Sequence, residues 1–232
     1  MRASILSHRS ARSARRGAAL VSFCLLVASA GSAAADIIDP KTGTLFASEP
    51  TIDGTSFRCL GAGVRASEAS TYAVTYCLGD EQADAVDDLV KVAYPGSSGK
   101  TLERQLTNDQ GFFDALSDFP GEKLVILHFS HAAPHHSLAE ALKSSLSGAL
   151  PKEKVKSLVA ALPGDAAAGE TVLLYTHGAH LVVDVGGSTK SLGDDEILAR
   201  LWGAWLGPKS AAPSLKSSIA HAVASAGNPA TA

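Results

Sequence analysis

Two stretches in which apolar residues dominate, Phe57–Arg65 and Tyr72–Leu78, flank the polar loop Ala66–Thr71, which carries Ser67, Glu68 and Ser70. The first mixes apolar residues with the closely spaced Gly61 and Gly63, and the second is rich in β-branched and aromatic side chains. The pattern predicts two strands joined as a hairpin, because such side chains suit a pleated surface and the loop residues favour a turn. Lys123–Ser130, apolar from Leu124 to Leu127, predicts another strand. Glu170–Thr176 and His180–Val185 predict a second hairpin through His177-Gly178, ended by Gly186-Gly187. Upstream, Asp36–Ile52 is a polar lead-in with one short strand candidate, Thr44–Ala47.

Three- and four-residue apolar spacings mark the helices. Ala83, Val86, Leu89, Val90 and Ala93 predict a helix over Glu81–Ala93, stopped by Tyr94-Pro95-Gly96. Leu102, Leu106, Phe112, Phe113 and Leu116 predict further helix, broken near Gly111. Ser137–Leu150 follows with Ser137 as its cap, and Pro151 opens the next helix, which runs to Leu162. Pro163–Gly169 is a loop. Asp194–Leu206 carries three acids in its first turn, where the helix dipole is positive, and Gly207-Pro208 ends it. Its Trp202 and Trp205 are read as packing against a sheet rather than as a ligand platform. Ser210–Ser225 contains a last short helix. With strands towards both ends and helices between them, the order describes one α+β domain.

Composition changes the picture first at the N-terminus. Met1–Arg16 has five arginines and no acid, Gly17–Ala30 is apolar, and Ser32-Ala33-Ala34-Ala35 offers a small-residue cleavage site. Residues 1–35 therefore read as a secretory signal peptide, residues 36–225 as the domain and residues 226–232 as a disordered tail, in a periplasmic or secreted protein. The residues after Arg15-Arg16 fit a twin-arginine element poorly, and the distinct apolar block argues against an organelle transit peptide. That block is also shorter than the ~20 residues a membrane span needs. Loss of the leader takes the net charge from −3 to −8, since five arginines and no acid leave with it. So acidic a chain excludes nucleic acid and anionic membrane surfaces as partners. The membrane enters only through the cleaved leader.

Cys24 leaves with that leader, so Cys59 and Cys77 face an oxidising compartment across the first hairpin. A bridge requires Cys59 opposite Cys77. Arg65 closes the same first strand and Tyr72 opens the second, and a regular hairpin sets these two opposite each other on one face. The two pairings differ by one residue in register, so one regular ladder cannot make both. A bulge at the glycines would reconcile them, and the sequence leaves the disulfide open. Arg65 with Tyr72 would form a carboxylate clamp: a planar fork of donors beside a phenol hydroxyl. The plainer alternative is a solvated arginine beside a loop and an ordinary strand tyrosine.

Leu60-Gly61-Ala62-Gly63-Val64-Arg65, followed by Tyr76-Cys77-Leu78-Gly79-Asp80, resembles the first motif of the chalcone isomerase family. Asp194-Asp195-Glu196-Ile197-Leu198 through Trp205-Leu206-Gly207-Pro208-Lys209 to Ser214-Leu215-Lys216 resembles the helix, stop and final helix of its bacterial branch. The resemblance spans roughly Thr44 to Ala222. It implies a chalcone-isomerase-like open-faced β-sandwich, an antiparallel sheet covered by a layer of helices. It also implies that Arg65 is the family's arginine. The enzymes' threonine at the start of the next strand has Tyr72 near its place, and their tyrosine and asparagine fall on His136 and Lys143. A further pocket threonine falls near Val183. Only the arginine is retained. The family's non-catalytic fatty-acid-binding members hold a carboxylate with the arginine and a neighbouring tyrosine, which Arg65 and Tyr72 match. Val74, Leu127, Leu201 and Trp202 are then the expected lining of an acyl cleft.

Other chemistry has little support. His128, His131, His135, His136, His177 and His180 have no metal-ligand spacing. No nucleophile elbow, phosphate loop or dinucleotide fingerprint occurs, so neither metal nor cofactor is expected. The sequence points to a domain that binds a fatty acid or similar small apolar carboxylate at Arg65 and Tyr72 without transforming it. The alternatives are an intramolecular lyase (isomerase) of the chalcone isomerase type with an altered pocket, and a protein-interaction module with a vestigial cleft.

Overall fold

The computed structural model describes residues 36–66, 71–162 and 164–226. The expected leader and residues 227–232 of the expected tail lie outside them, as do Ser67, Glu68 and Ser70 of the first loop. Strand β1 (Ile37–Ile38) pairs with β2 (Leu45–Phe46), and β3 (Thr51–Ile52) turns back into β4 (Thr55–Ala66). The turn is Asp53-Gly54, with φ of 48° and 80°, the left-handed pair that a two-residue hairpin loop needs. After β5 (Thr71–Gly79), helices α1 (Asp80–Ala93), α2 (Gly99–Asn108) and α3 (Gln110–Asp118) lead to β6 (Lys123–Phe129). Helices α4 (His135–Ser145) and α5 (Lys152–Ala161) lead to β7 (Thr171–His177), then β8 (His180–Val185) and β9 (Ser188–Leu192). Helices α6 (Asp195–Arg200), α7 (Gly203–Leu206) and α8 (Pro213–Ala226) follow. Strands β3 to β9 lie in sequence order in one antiparallel sheet.

Strand periodicity decides which face receives the helices. In β6, Val125, Leu127 and Phe129 join the main core, which also holds the apolar side chains of the helices. Leu124 belongs to a second cluster on the other face, with Phe57, Cys59, Cys77 and Tyr175. Ile37 and Ile52 pack against that cluster from β1 and β3. The expected fold, an antiparallel sheet covered by helices, is the fold observed.

Both pairings that a regular ladder forbids are made. Cys59 stands opposite Cys77, and Arg65 stands opposite Tyr72; the register shifts between Cys59 and Gly61. Leu60 is the extra residue of that bulge. Cys59 and Cys77 are joined as a disulfide, with Cα atoms 3.8 Å apart. Because the bulge reverses the side-chain alternation, Gly61, Gly63 and Arg65 lie on the helix-covered face, opposite Tyr76, Val74 and Tyr72.

The two glycines admit α8 onto β4. A Cβ on Gly63 would lie 2.3 Å from the backbone nitrogen of Leu215, and one on Gly61 would lie 2.7 Å from that of Ile219. The serines of α8 complete the contact. Ser218 Oγ accepts from Ala62 N (3.1 Å); Ser214 Oγ accepts from Val64 N (2.9 Å) and donates to Val64 O (3.3 Å). The short β3 covers only the start of β4, so these hydroxyls satisfy strand-edge amides that no neighbouring strand reaches. Ser214→Ala is expected to cost about 1–2 kcal/mol, read as a lower midpoint in thermal unfolding. Ser217→Ala, on the exposed side of α8, should leave the midpoint unchanged. Equal midpoints for the two variants would remove the hydroxyl from the account.

Several elements depart from expectation. The break between α2 and α3 falls at Asp109, whose carboxylate accepts from Gly111 N (2.8 Å) and caps α3. Ser137 caps nothing: α4 starts earlier, after Pro134, and the Ser137 hydroxyl is buried without a partner. The helix expected over Asp194–Leu206 is divided. Ala204 N donates to Leu201 O (2.9 Å) and Trp205 N to Trp202 O (3.1 Å), a tightened turn in which residues three apart line up. It stacks Trp202 and Trp205 on the buried side. The polar β9 was not expected as a strand at all. Gly186 and Gly187, with φ of 58° and 86°, turn the chain into it instead of ending the sheet.

Candidate functional site

The bulged strand brings Arg65 and Tyr72 together at one end of β4 and β5, on the helix face. Tyr72 is fully buried, its ring tilted against Phe129 at 5.5 Å. Arg65 is half-buried, and its Nε is enclosed without a hydrogen-bond partner. The Tyr72 hydroxyl has none either. The other three tyrosines of the chain behave differently. Tyr76 donates to Leu116 O (2.9 Å), Tyr94 to Asp109 Oδ2 (2.5 Å) and Tyr175 to Asp53 Oδ2 (2.5 Å). A buried hydroxyl left unpaired is an exception that demands a reason, because such a group costs about 1–3 kcal/mol.

A third polar group approaches the same place from α7. Trp205 is fully buried, and its indole N–H also lacks a partner. Burial pushes the Tyr72 phenol up to about 12, while the positive charge of Arg65 and the indole N–H of Trp205 act against that rise. The indole is thus a near neighbour of the hydroxyl, and neither polar atom has a hydrogen-bond partner among the described residues. The guanidinium and indole N–H groups can only donate, and the phenol can donate. Such a set is complementary to an anion that accepts. The first turn of α8 lies beside it, since Ser214 bonds to Val64, the residue before Arg65.

The structure corrects the expected cleft. Val74, Leu127, Leu201 and Trp202 are fully buried members of the main core. None of them borders the five surface hollows found among the described residues. One of these, about 480 Å³, lies on the outer side of α7, bordered by Gly203, Gly207, Asp118, Arg200 and Lys209. Trp202 stacks edge-on to Tyr76 at 6.3 Å and carries Lys123 Nζ 5.8 Å from its ring centre. Both tryptophans pack the helix layer onto the sheet, as expected. That Trp205 also turns an unsatisfied donor towards Tyr72 was not visible in the sequence. The only available signal was general: a buried indole normally finds a partner for its N–H.

The positions matched to the enzymes' tyrosine and asparagine, His136 and Lys143, are exposed on α4, and Val183 is an apolar core residue. No second polar side chain at those places joins Arg65. Among the described residues no group of three or more His, Cys, Asp or Glu could hold a metal ion. Of the histidines, His131, His136, His177 and His180 are exposed, and His128 pairs with Thr171 Oγ1 at 3.2 Å.

No family model matches the sequence, and no curated protein matches it. Among solved structures, a fatty-acid binding protein of Arabidopsis thaliana superposes with a TM-score of 0.60 at 18% identity, over 84% of this chain and 100% of that one. The fold is chalcone-isomerase-like. The likeness lies in architecture, and at this identity it says nothing of the residues around Arg65.

Proposed function

We propose that this chain binds a fatty acid or similar apolar carboxylate, without transforming it, with the headgroup against Arg65 and Tyr72. The observation that carries the reading is the Tyr72 hydroxyl, buried on the same face as a guanidinium and given no acceptor among the described residues. An ionised carboxylate is acceptor-only and would meet both groups with charge-assisted bonds. The shared fold with a fatty-acid binding protein supports the choice of ligand class. The acyl chain would take the place of packed core side chains beside Val74, Leu127, Leu201 and Trp202. Each buried CH₂ contributes about 0.8 kcal/mol towards opening that space. Ring closure of the isomerase type is less well supported, because the positions matched to the enzymes' tyrosine and asparagine, His136 and Lys143, are exposed on α4 and Val183 is apolar. The Cys59–Cys77 bridge supports a periplasmic or secreted location, where disulfides persist.

Native mass spectrometry of the protein purified without its leader, together with titration by dodecanoate, tests the reading. Wild type should carry or take up one acyl carboxylate, and Arg65→Ala should bind at least about tenfold more weakly, the loss of one charge-assisted contact. An empty wild-type protein that also ignores added dodecanoate would overturn the proposal. Closure of a hydroxychalcone above the uncatalysed rate would restore the isomerase reading.

A further inference from the structure

We infer that Trp205 is a third headgroup residue, its indole N–H donating to the bound carboxylate. The inference rests on the carboxylate reading above and adds to it a side chain from the helix layer. Three observations meet at this residue. Its N–H is fully buried and has no partner among the described residues. It lies within reach of the Tyr72 hydroxyl, yet neither atom has a hydrogen-bond partner among the described residues. A carboxylate oxygen between them would give each the acceptor it lacks.

The third observation concerns the segment that carries it. Helix α7 is only four residues long and is bounded by Gly203 and Gly207, and a Cβ on Gly203 would meet nothing within 4 Å. The hollow of about 480 Å³ lies on its outer side. Trp205 therefore rides on a short segment with room behind it, and an outward step of α7 would uncover the ground between the indole and Tyr72. The same residue thus covers the site and binds in it.

The donor set also predicts selectivity. A carboxylate brings two acceptor oxygens and no hydrogen, whereas an alcohol of equal length brings one oxygen that carries its own hydrogen. Dodecanoate should bind in preference to dodecanol, and Trp205 should contribute to that difference.

The chain has two tryptophans, Trp202 and Trp205, so the ¹⁵N-labelled protein shows two indole N–H resonances, assigned with Trp202→Phe. On titration of the wild type with dodecanoate, the Trp205 resonance should move downfield as its hydrogen bond forms. Dodecanol should not reproduce that shift. Trp205→Phe keeps a ring in the core but removes the donor. It should weaken dodecanoate about tenfold or more, the usual worth of a bond to a charged group, and leave dodecanol unchanged. The inference is overturned if wild type binds dodecanoate while the Trp205 signal stays in place, or if Trp205→Phe binds it equally well. Failure of the wild type to bind dodecanoate would overturn the carboxylate reading itself. The resonance of the wild type decides the matter even should Trp205→Phe fail to fold.

Discussion

Gly63→Ala is expected to destabilise the domain by more than about 4 kcal/mol, beyond the range of ordinary substitutions, and to leave most of the protein insoluble on expression. The new methyl would sit 2.3 Å from the backbone nitrogen of Leu215 and 2.6 Å from its Cα. Backbone cannot yield as a side-chain tip can, so α8 would have to lift from β4. Lifting α8 would break the Ser214 and Ser218 bonds to Val64 and Ala62. It would also uncover Leu215 and Ile219, both fully buried. Urea unfolding of whatever soluble protein is recovered measures the effect. Gly203→Ala is the control: its Cβ meets nothing within 4 Å, and alanine at a helical position should change stability by no more than about 1 kcal/mol, in the favourable direction. A Gly63→Ala protein within about 1 kcal/mol of wild type would show that α8 does not pack this closely in solution.

Reduction of the Cys59–Cys77 disulfide should remove about 3 kcal/mol, the loop-closure value for residues 18 apart in sequence. For a domain of this size that corresponds to a fall of roughly 6–12 °C in the thermal midpoint. Scans with and without reductant test it. The double variant Cys59→Ala/Cys77→Ala should start from the lowered midpoint and show no further response. A midpoint indifferent to reductant in the wild type, with the thiols shown by labelling to be free, would sink the prediction.

The strands were legible because alternation is local. Tyr72–Leu78 and His180–Val185 were marked by apolar and β-branched side chains, and the structure returns them as β5 and β8 with at most one residue of change at either end. The conflict between the cysteine pair and the Arg65–Tyr72 pair was also legible, since it needs only strand geometry. Its resolution by a bulge beside the glycines is what the register shows. Polar strands were harder. Ser188–Leu192 has a solvated edge and no alternation to announce it, and Asp53-Gly54, a strong hairpin signal, falls between the lead-in and the first predicted strand.

The candidate site was legible only in half. Arg65 and Tyr72 come from adjacent strands, so hairpin pairing alone places them face to face. Trp205 arrives from α7, more than a hundred residues later, by way of how the helix layer settles on the sheet. No sequence period reports that. Nor does the apolar character of Val74, Leu127, Leu201 and Trp202 say whether they surround a space or fill it. In the structure they are fully buried, so the proposed ligand would enter only where the layer above them gives way.

Leu60 has a consequence larger than its own contacts. By breaking the alternation once, it makes a single strand behave as two tools joined back to back. The part before it is riveted to its neighbour underneath, and the part after it serves as the bed for a helix and then as an arm. Removing that one residue would leave every side chain in the strand chemically intact and turn the arm, with its charge, to the wrong side of the sheet.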